Sequence, residues 1–289
     1  MNHDSIDDFL TAAKPTLAKA PGALIFADDA VELRSTLDHA LSRGFGTVAL
    51  FADPAIAVPE PLAARVHHVP WNIHRDNAVP TAVNKVIAAA PGAWLHYAYT
   101  AEYLFFPFCE TRSVRDLIAF QAEERRDTIL TYVIDLYAGD LDRHPDAVSV
   151  QEALLDRVGY YALGRGDPAN GWAAKDRQMD FFGGLRWRFE EHVPWTRRRI
   201  DRVSLFRAQP GLMLRDDHTF NVEEYNTYAC PWHNNITAAV CSFRTAKALR
   251  SNPGSRFDIH TFRWRNSVPF QWHSQQLMDL GLMEPGQWF

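Results

Sequence analysis

The sequence predicts an α/β fold with a mainly parallel central sheet and helices on both faces. Three observations predict it: short apolar runs recur between residues 22 and 98, helical patterns separate them, and Gly or Pro-Gly marks the joins. A parallel strand buried on both faces has no polar side to present, so continuous rather than alternating hydrophobicity is its mark.

Gly22 to Ala27 is the first apolar run. Asp28-Asp29 behind it supplies an N-cap and negative charge for a helix patterned on Val31, Leu33, Leu37 and Leu41, which Gly44 ends. Thr47 to Phe51 (TVALF) is the second strand, and Arg65 to Val69 a weaker third. Asn77 to Ala90 reads as a helix before the Pro91-Gly92 turn, and Ala93 to Tyr97 returns to strand. Sheets of this order bind ligands beyond the carboxyl ends of their strands. Val114 to Glu124 is expected as helix, and Thr128 to Tyr137 (TILTYVIDLY), β-branched and aromatic, as a core strand. From Ala138 to Met179, Gly, Pro and Asp breakers surround one helix expected near Val150 to Val158. Later strand candidates are Leu185 to Phe189, Val203 to Phe206 and Ala238 to Phe243.

With 289 residues and 47% hydrophobic content the chain can bury a substantial core. A formal charge of -5 and a pI near 6.2 give no global reason to bind nucleic acid or an anionic membrane, so any phosphate binding must be local. Cys109, Cys230 and Cys241 are too few and too scattered for a disulfide framework, and no pair has C-x-x-C spacing. The opening MNHDSIDDFLTAAKPTLAKA has no basic segment leading into an apolar one, and no long apolar run follows anywhere. A cytoplasmic protein without a transmembrane segment is expected. His67, His68, His96, His218, His233, His260 and His273 fall in no compact metal spacing. No G-x-x-x-x-G-K-[ST] loop, G-x-G-x-x-G fingerprint or G-x-S-x-G elbow occurs, which leaves nucleotide hydrolysis, dinucleotide redox chemistry and serine hydrolysis of those types without support.

The most informative stretch is Trp94-Leu95-His96-Tyr97-Ala98-Tyr99-Thr100-Ala101-Glu102-Tyr103-Leu104. Around it, in order, stand Leu33-Arg34 with His39 and Gly44, Val48 to Phe51, Ile134-Asp135-Leu136-Tyr137, Gly183-Gly184-Leu185-Arg186-Trp187-Arg188, and Ala239 to Arg244. Spread over residues 20 to 250, these segments resemble the glycosyltransferase family 2 related group of bacterial proteins. That is a GT-A-fold branch whose motif is Asp-x-Asp-Glu-Phe-Leu after a Trp-led strand. The resemblance implies a GT-A-like nucleotide-diphospho-sugar transferase fold as one domain over residues 1–289. A nucleotide-sugar-binding half would occupy 20–137, an insertion 138–180, and an acceptor-side half with a C-terminal extension 181–289. It implies a glycosyltransferase that moves a sugar from a nucleotide-diphosphate donor to a saccharide or other acceptor.

The departures from the motif share one chemical sense. Tyr99 and Ala101 stand where the family has its two aspartates, Ser242 where it has a late His, and Ala27-Asp28 where it has Asn-Glu. A hard divalent ion needs carboxylate oxygens, so no metal and no other cofactor is expected. Two outcomes stay open: metal-independent transfer, or a catalytically inactive descendant that binds a saccharide, a nucleotide or a protein.

Each candidate residue has a functional and a structural reading. Arg186 and Arg188, two apart on an expected strand, could replace the cation at the leaving diphosphate or pair with carboxylates. Arg197-Arg198-Arg199 reads more as a solvated run facing Glu190 and Glu191. Asp28 and Asp53, just beyond strand ends, sit where base and ribose bind in such folds, with helix capping the alternative for Asp28. Glu102, Asp135 and His218 are candidates to take the acceptor proton. Alternatively Glu102 pairs with Arg112 or Arg115, and Asp135 is a hydrogen-bonded structural carboxylate. His218 enters because the resemblance places a His in its loop. Trp264, Phe270, Trp272 and Trp288 read as core packing, as a contact in a homo-oligomer, or as a sugar-stacking platform.

Overall fold

The computed structural model describes residues 1–230 and 235–288. In chain order the first elements are α1 (Ile6–Leu17), β1 (Gly22–Phe26), α2 (Leu33–Ser42), β2 (Thr47–Ala52), β3 (Val66–Pro70) and α3 (Ala78–Ala89). Next come β4 (Trp94–Tyr99), β5 (Glu102–Phe105), α4 (Val114–Glu123), β6 (Thr128–Ala138), β7 (Ala153–Asp156), β8 (Tyr161–Asp167) and β9 (Ala173–Phe182). The last are α5 (Gly184–Arg188), β10 (Asp201–Arg207), β11 (Ala238–Ser242), α6 (Arg244–Ser251), β12 (Ser267–Pro269) and α7 (Ser274–Asp279). The protein is α/β, and it divides into two compact units. The first holds Met1–Leu104, Cys109–Leu130 and Val203–Asn226; the second holds Phe105–Phe108, Thr131–Arg202 and Thr227–Phe289.

In the first unit β1 is the middle of a parallel set. Phe26 is in register with Phe51 of β2 on one side and with Tyr99 of β4 on the other. β3 extends the set beyond β2 in parallel, and β10 closes the other side antiparallel to β4, Leu205 opposite His96. Every residue of β1 and β2 is buried, which is why both read as unbroken apolar runs. The parallel strands expected between residues 22 and 98 are therefore present at nearly the expected bounds.

Local chemistry sets the helices. Ser5 caps α1 by accepting from Asp8 N at 3.2 Å, and Ile6, Phe9, Ala13 and Leu17 form its buried stripe. The sequence reading assigned no element there. α4 starts as expected, with a reciprocal Ser113–Asp116 capping box. α2 starts later than expected, at Leu33, behind Glu32 in the left-handed region (φ 52°) and without a side-chain cap. The Asp28-Asp29 cap is thus corrected: Asp29 Oδ1 accepts from Val31 N at 3.0 Å, which shapes the β1–α2 loop before the helix begins.

In the second unit β6 pairs antiparallel with β7 and parallel with β11, and β7 pairs antiparallel with β12. The helix expected near Val150 to Val158 is corrected to the strand β7, all four of whose residues are buried. Pairing on both edges outweighs the local helical preference of Ala-Leu-Leu. The strand expected at Leu185 to Phe189 is corrected to the short helix α5. Gly184 turns the chain at φ 62°, and the Asp135 carboxylate accepts from Leu185 N (2.9 Å) and Arg186 N (3.4 Å), giving partners to N–H groups of the first turn. β8 and β9 form a separate two-stranded ribbon where an irregular insertion was expected.

Phe9 is fully buried and meets Phe51 edge to face at 5.8 Å, so α1 is anchored through it. Phe9→Ala should cost about 3–5 kcal/mol of folding stability in urea titration. A change below about 1 kcal/mol would show that α1 is not docked as described.

Candidate functional site

The strand order of the first unit, β3-β2-β1-β4, fixes where a ligand crevice forms. The chain lays β2 and β3 to one side of β1 and then places β4 on the other, so the order reverses between β1 and β4. Loops leaving the carboxyl ends of two such strands diverge and leave room for a ligand. Those loops are Ala27 to Glu32 and Thr100-Ala101. Asp28, half-buried, approaches Thr100 across this point, with Thr100 Oγ1 3.5 Å from Asp28 Oδ1. Asp53, exposed, lies just past the end of neighbouring β2 and accepts from Ala55 N at 2.9 Å.

A tight turn ends β4. Ala101 is left-handed (φ 59°) and fully buried, and its N–H donates to Thr36 Oγ1 at 2.9 Å. Glu102 is buried, and its Oε2 accepts from Tyr99 N at 3.0 Å, so the carboxylate closes the turn. α2 holds the rest of the segment. Ser35 Oγ meets Tyr103 OH at 2.8 Å, and His39 Nε2 meets Leu104 O at 2.8 Å. Burial and the nearby Arg43 push the His39 pKa down to about 4, so this imidazole is neutral at physiological pH.

His218 sits at φ 65° in the turn closed by the Leu214–Phe220 bridge. Asn84 of α3 pins that turn by exchanging two hydrogen bonds with the Leu214 backbone, 3.0 and 2.7 Å. The His218 ring stacks on Tyr97 of β4 (5.8 Å, 14°), and its Nδ1 lies 3.1 Å from Tyr97 OH. Tyr97 is two residues before the carboxyl end of β4. Asp28, Asp53, Glu102 and His218 thus lie on the strand-end loops and the β4 flank of one unit.

Asp135, Arg186 and Arg188 belong to the second unit. Asp135, 1% exposed, caps α5 and lies 3.7 Å from Arg186 Nε across an ion pair. Arg186 also donates to Thr245 Oγ1 at 3.2 Å and to Arg199 O at 2.6 Å. Burial raises the Asp135 pKa above the usual carboxylate value, and the Arg186 charge opposes the rise. Arg188 instead joins a node the sequence reading missed. Asp156, 2% exposed, accepts from Arg188 Nη1 (3.1 and 3.2 Å), Tyr137 OH (2.5 Å) and Trp264 Nε1 (2.6 Å). Arg188 stacks over the Trp264 ring at 4.7 Å and gives Nη2 to Phe262 O at 2.6 Å. An Asp closing the apolar run Ala-Leu-Leu-Asp was the available signal, since a charge there needs a cation. Trp264 is thus bound into this node, and Trp272 gives Nε1 to Val150 O at 3.0 Å.

The donor set of the β4 turn does not suit a hard divalent cation. Ala101 carries no oxygen, Tyr99 no carboxylate, and the Glu102 oxygen nearest the turn already accepts from the backbone. Among the described residues no group of three or more His, Cys, Asp or Glu is placed to hold a metal; His233 lies outside them. A surface cavity of about 640 Å³ in the second unit, lined by Asp140, Asp142, Arg143, Glu152, Arg263 and Phe270 among others, holds Phe270 of the aromatic set but none of the residues expected to bind the nucleotide or take a proton. No protein-family model matches the chain, and no curated protein matches it.

Two measurements test these networks. Removing one partner of a buried ion pair strands the other, so Asp156→Ala should cost about 3–5 kcal/mol of stability, and a cost under about 1 kcal/mol would sink the node. For Asp135 the sign follows from its raised pKa. The folded state holds this proton more tightly than the unfolded chain, whose value is near 3.8, so its contribution to stability falls as pH rises above that value. Relative to Asp135→Asn, the wild type should lose stability between pH 4 and pH 7.5 in urea titrations. A difference that stays flat, or runs the other way, contradicts the raised pKa.

Proposed function

We propose that the protein is a nucleotide-sugar-binding protein of the GT-A type, transferring a glycosyl group without a metal ion. The observation that carries it is the β1–β4 reversal, with Asp28 and Thr100 meeting at the carboxyl ends of two parallel strands. The segment beyond β4 is the one whose sequence resembles the donor motif. In this reading Asp28 and Asp53 accept hydrogen bonds from the base and ribose, as carboxylates do from hydroxyl and N–H groups. Glu102 holds the turn in shape, and His218 is the candidate to take the acceptor proton as a general base.

Asp135 and Arg186 of the second unit are proposed as a further acid–base pair, a carboxyl whose pKa burial raises facing a guanidinium. Arg186 keeps Nη2 for an anionic group beyond the two bonds it already makes. Arg188 could meet a diphosphate only by giving up Asp156 and Phe262 O. That commitment favours the second reading, a non-catalytic binder of nucleotide or saccharide. Activity separates the two where a nucleotide binds.

A thermal-shift screen of UDP, GDP, CMP and dTDP with their sugars, with and without manganese, is the first experiment. A ligand at one hundred times its Kd stabilises the native state by about 2.7 kcal/mol, so a hit is readily seen. With the best nucleotide, Asp28→Ala should weaken binding by about 1.5–3 kcal/mol in calorimetry, the range for a hydrogen bond to a charged group. Arg198→Ala, whose guanidinium pairs with Glu190 at 2.8 Å, should leave affinity unchanged. No binding of any nucleotide, or equal affinity for Asp28→Ala and wild type, removes the proposal.

A further inference from the structure

Six of the ten large apolar side chains exposed among the described residues fall between residues 158 and 195. They lie on and beside the β8–β9 ribbon. Tyr161 and Leu163, two residues apart on β8, point to one face. The Tyr161 ring stacks on Phe182 (5.2 Å, 19°) and Phe182 stacks on Trp195 (5.6 Å, 26°), so Trp195, 63% exposed, continues that face. At the far end of the ribbon Trp172, 73% exposed, lies against Gly166, where a β-carbon would come within 2.9 Å of the ring. A larger residue at 166 would displace it.

Charge accompanies the apolar surface. From Arg157 to Arg199 the chain has nine Lys or Arg and five Asp or Glu, an excess of four positive charges in a protein whose net charge is -5. Most of these are neutralised: Asp180 pairs with Arg165 and Arg199, Asp176 with Arg177, Glu190 with Arg198, and Asp201, Asp135 and Asp156 outside the segment pair with Arg165, Arg186 and Arg188. Arg157 and Arg197 form no ion pair among the described residues; Arg157 makes one side-chain bond, to Asn266 Oδ1 at 3.4 Å. One precedes Val158 directly, and the other closes the short turn that carries Trp195.

Exposed apolar surface of this density marks a contact. Trp and Tyr favour the boundary between water and hydrocarbon, Leu163 and Val158 gain only from hydrocarbon, and unpaired arginines favour phosphate. A neutral saccharide would use the rings but neither the aliphatic side chains nor the charges of Arg157 and Arg197. We propose that the β8–β9 face seats on an anionic lipid surface, with Tyr161, Leu163, Trp172 and Trp195 entering the headgroup region and Arg157 and Arg197 meeting lipid phosphates. The surface acts whether or not the protein transfers a sugar.

Co-sedimentation of the full chain with phosphatidylcholine vesicles, with and without phosphatidylglycerol, tests this. Binding is expected only to vesicles containing the anionic lipid and should fall as salt rises. Arg157→Gln and Arg197→Gln should each weaken partitioning by about fivefold, and the double variant Leu163→Ser, Trp172→Ser by more than about tenfold. All four positions are on the surface, so unchanged thermal melting separates lost binding from lost folding. Absence of binding to anionic vesicles, or variants that bind like the wild type, overturns the proposal. So does a wild-type dimer that the Leu163, Trp172 variant disperses without lipid, which assigns the face to a second copy. Tryptophan quenching by chitohexaose that Trp195→Ala abolishes, without vesicle binding, assigns it to a saccharide.

Discussion

Burial of β1 on both edges and both faces is the constraint from which the arrangement of the first unit follows. All five of its residues are buried, between β2 and β4 in parallel register. A polar side chain inside that set needs a buried partner, as His96 of β4 finds in Ser204 O at 3.0 Å, so such side chains are few there. Hydrogen-bonding side chains are therefore displaced to where the strands stop. Asp28, Asp53, Thr100 and Glu102 all occupy that edge, and α2 contributes Ser35, Thr36 and His39 to hold the backbone as it leaves β4.

The second unit solves the opposite problem. Asp135 and Asp156 are carboxylates inside the fold, and each is tolerable only with a cation and N–H or O–H donors around it. α5 supplies both cations from one short helix: Arg186 faces Asp135 and Arg188 faces Asp156. Gly184 makes the approach feasible, since a β-carbon there would stand 2.8 Å from Asp135 Oδ2. The Gly-Gly-Leu-Arg-Trp-Arg segment is thus first a device for burying two carboxylates. Any chemistry by Arg186 is an addition to that role, drawn from the donor it has left.

These two situations explain what could be read from the sequence and what could not. The strands of the first unit were legible because their hydrophobicity is continuous and their neighbours are close in the chain. α1 carried its own signal, Ser5 three residues before Asp8 and apolar residues at Ile6, Phe9, Ala13 and Leu17. Leu185 to Phe189 alternates apolar and basic residues and so imitates a strand, but Asp135, 50 residues earlier, decides its conformation. Asp156 meets Tyr137, Arg188 and Trp264, separated by 19, 32 and 108 residues, and no local pattern encodes such a meeting. Pairing across those distances also made β7 a strand.

The same distinction weighs the candidate residues against one another. A side chain whose bonding capacity is filled by the fold must lose those bonds before it can act, whereas one at an open edge acts at no structural cost. Arg188 and Glu102 are of the first kind, since their bonds already hold a buried carboxylate and the β4 turn. Asp28 and Asp53 lie on loops past strand ends, and His218 is held in a pinned turn with its ring stacked on β4, outside the paired strands themselves. A loss of function confined to such residues, with stability unchanged, is the pattern a ligand site produces. A loss at Asp156 or Arg188 follows from unfolding alone, which makes those positions the proper reference for any mutational study of this protein.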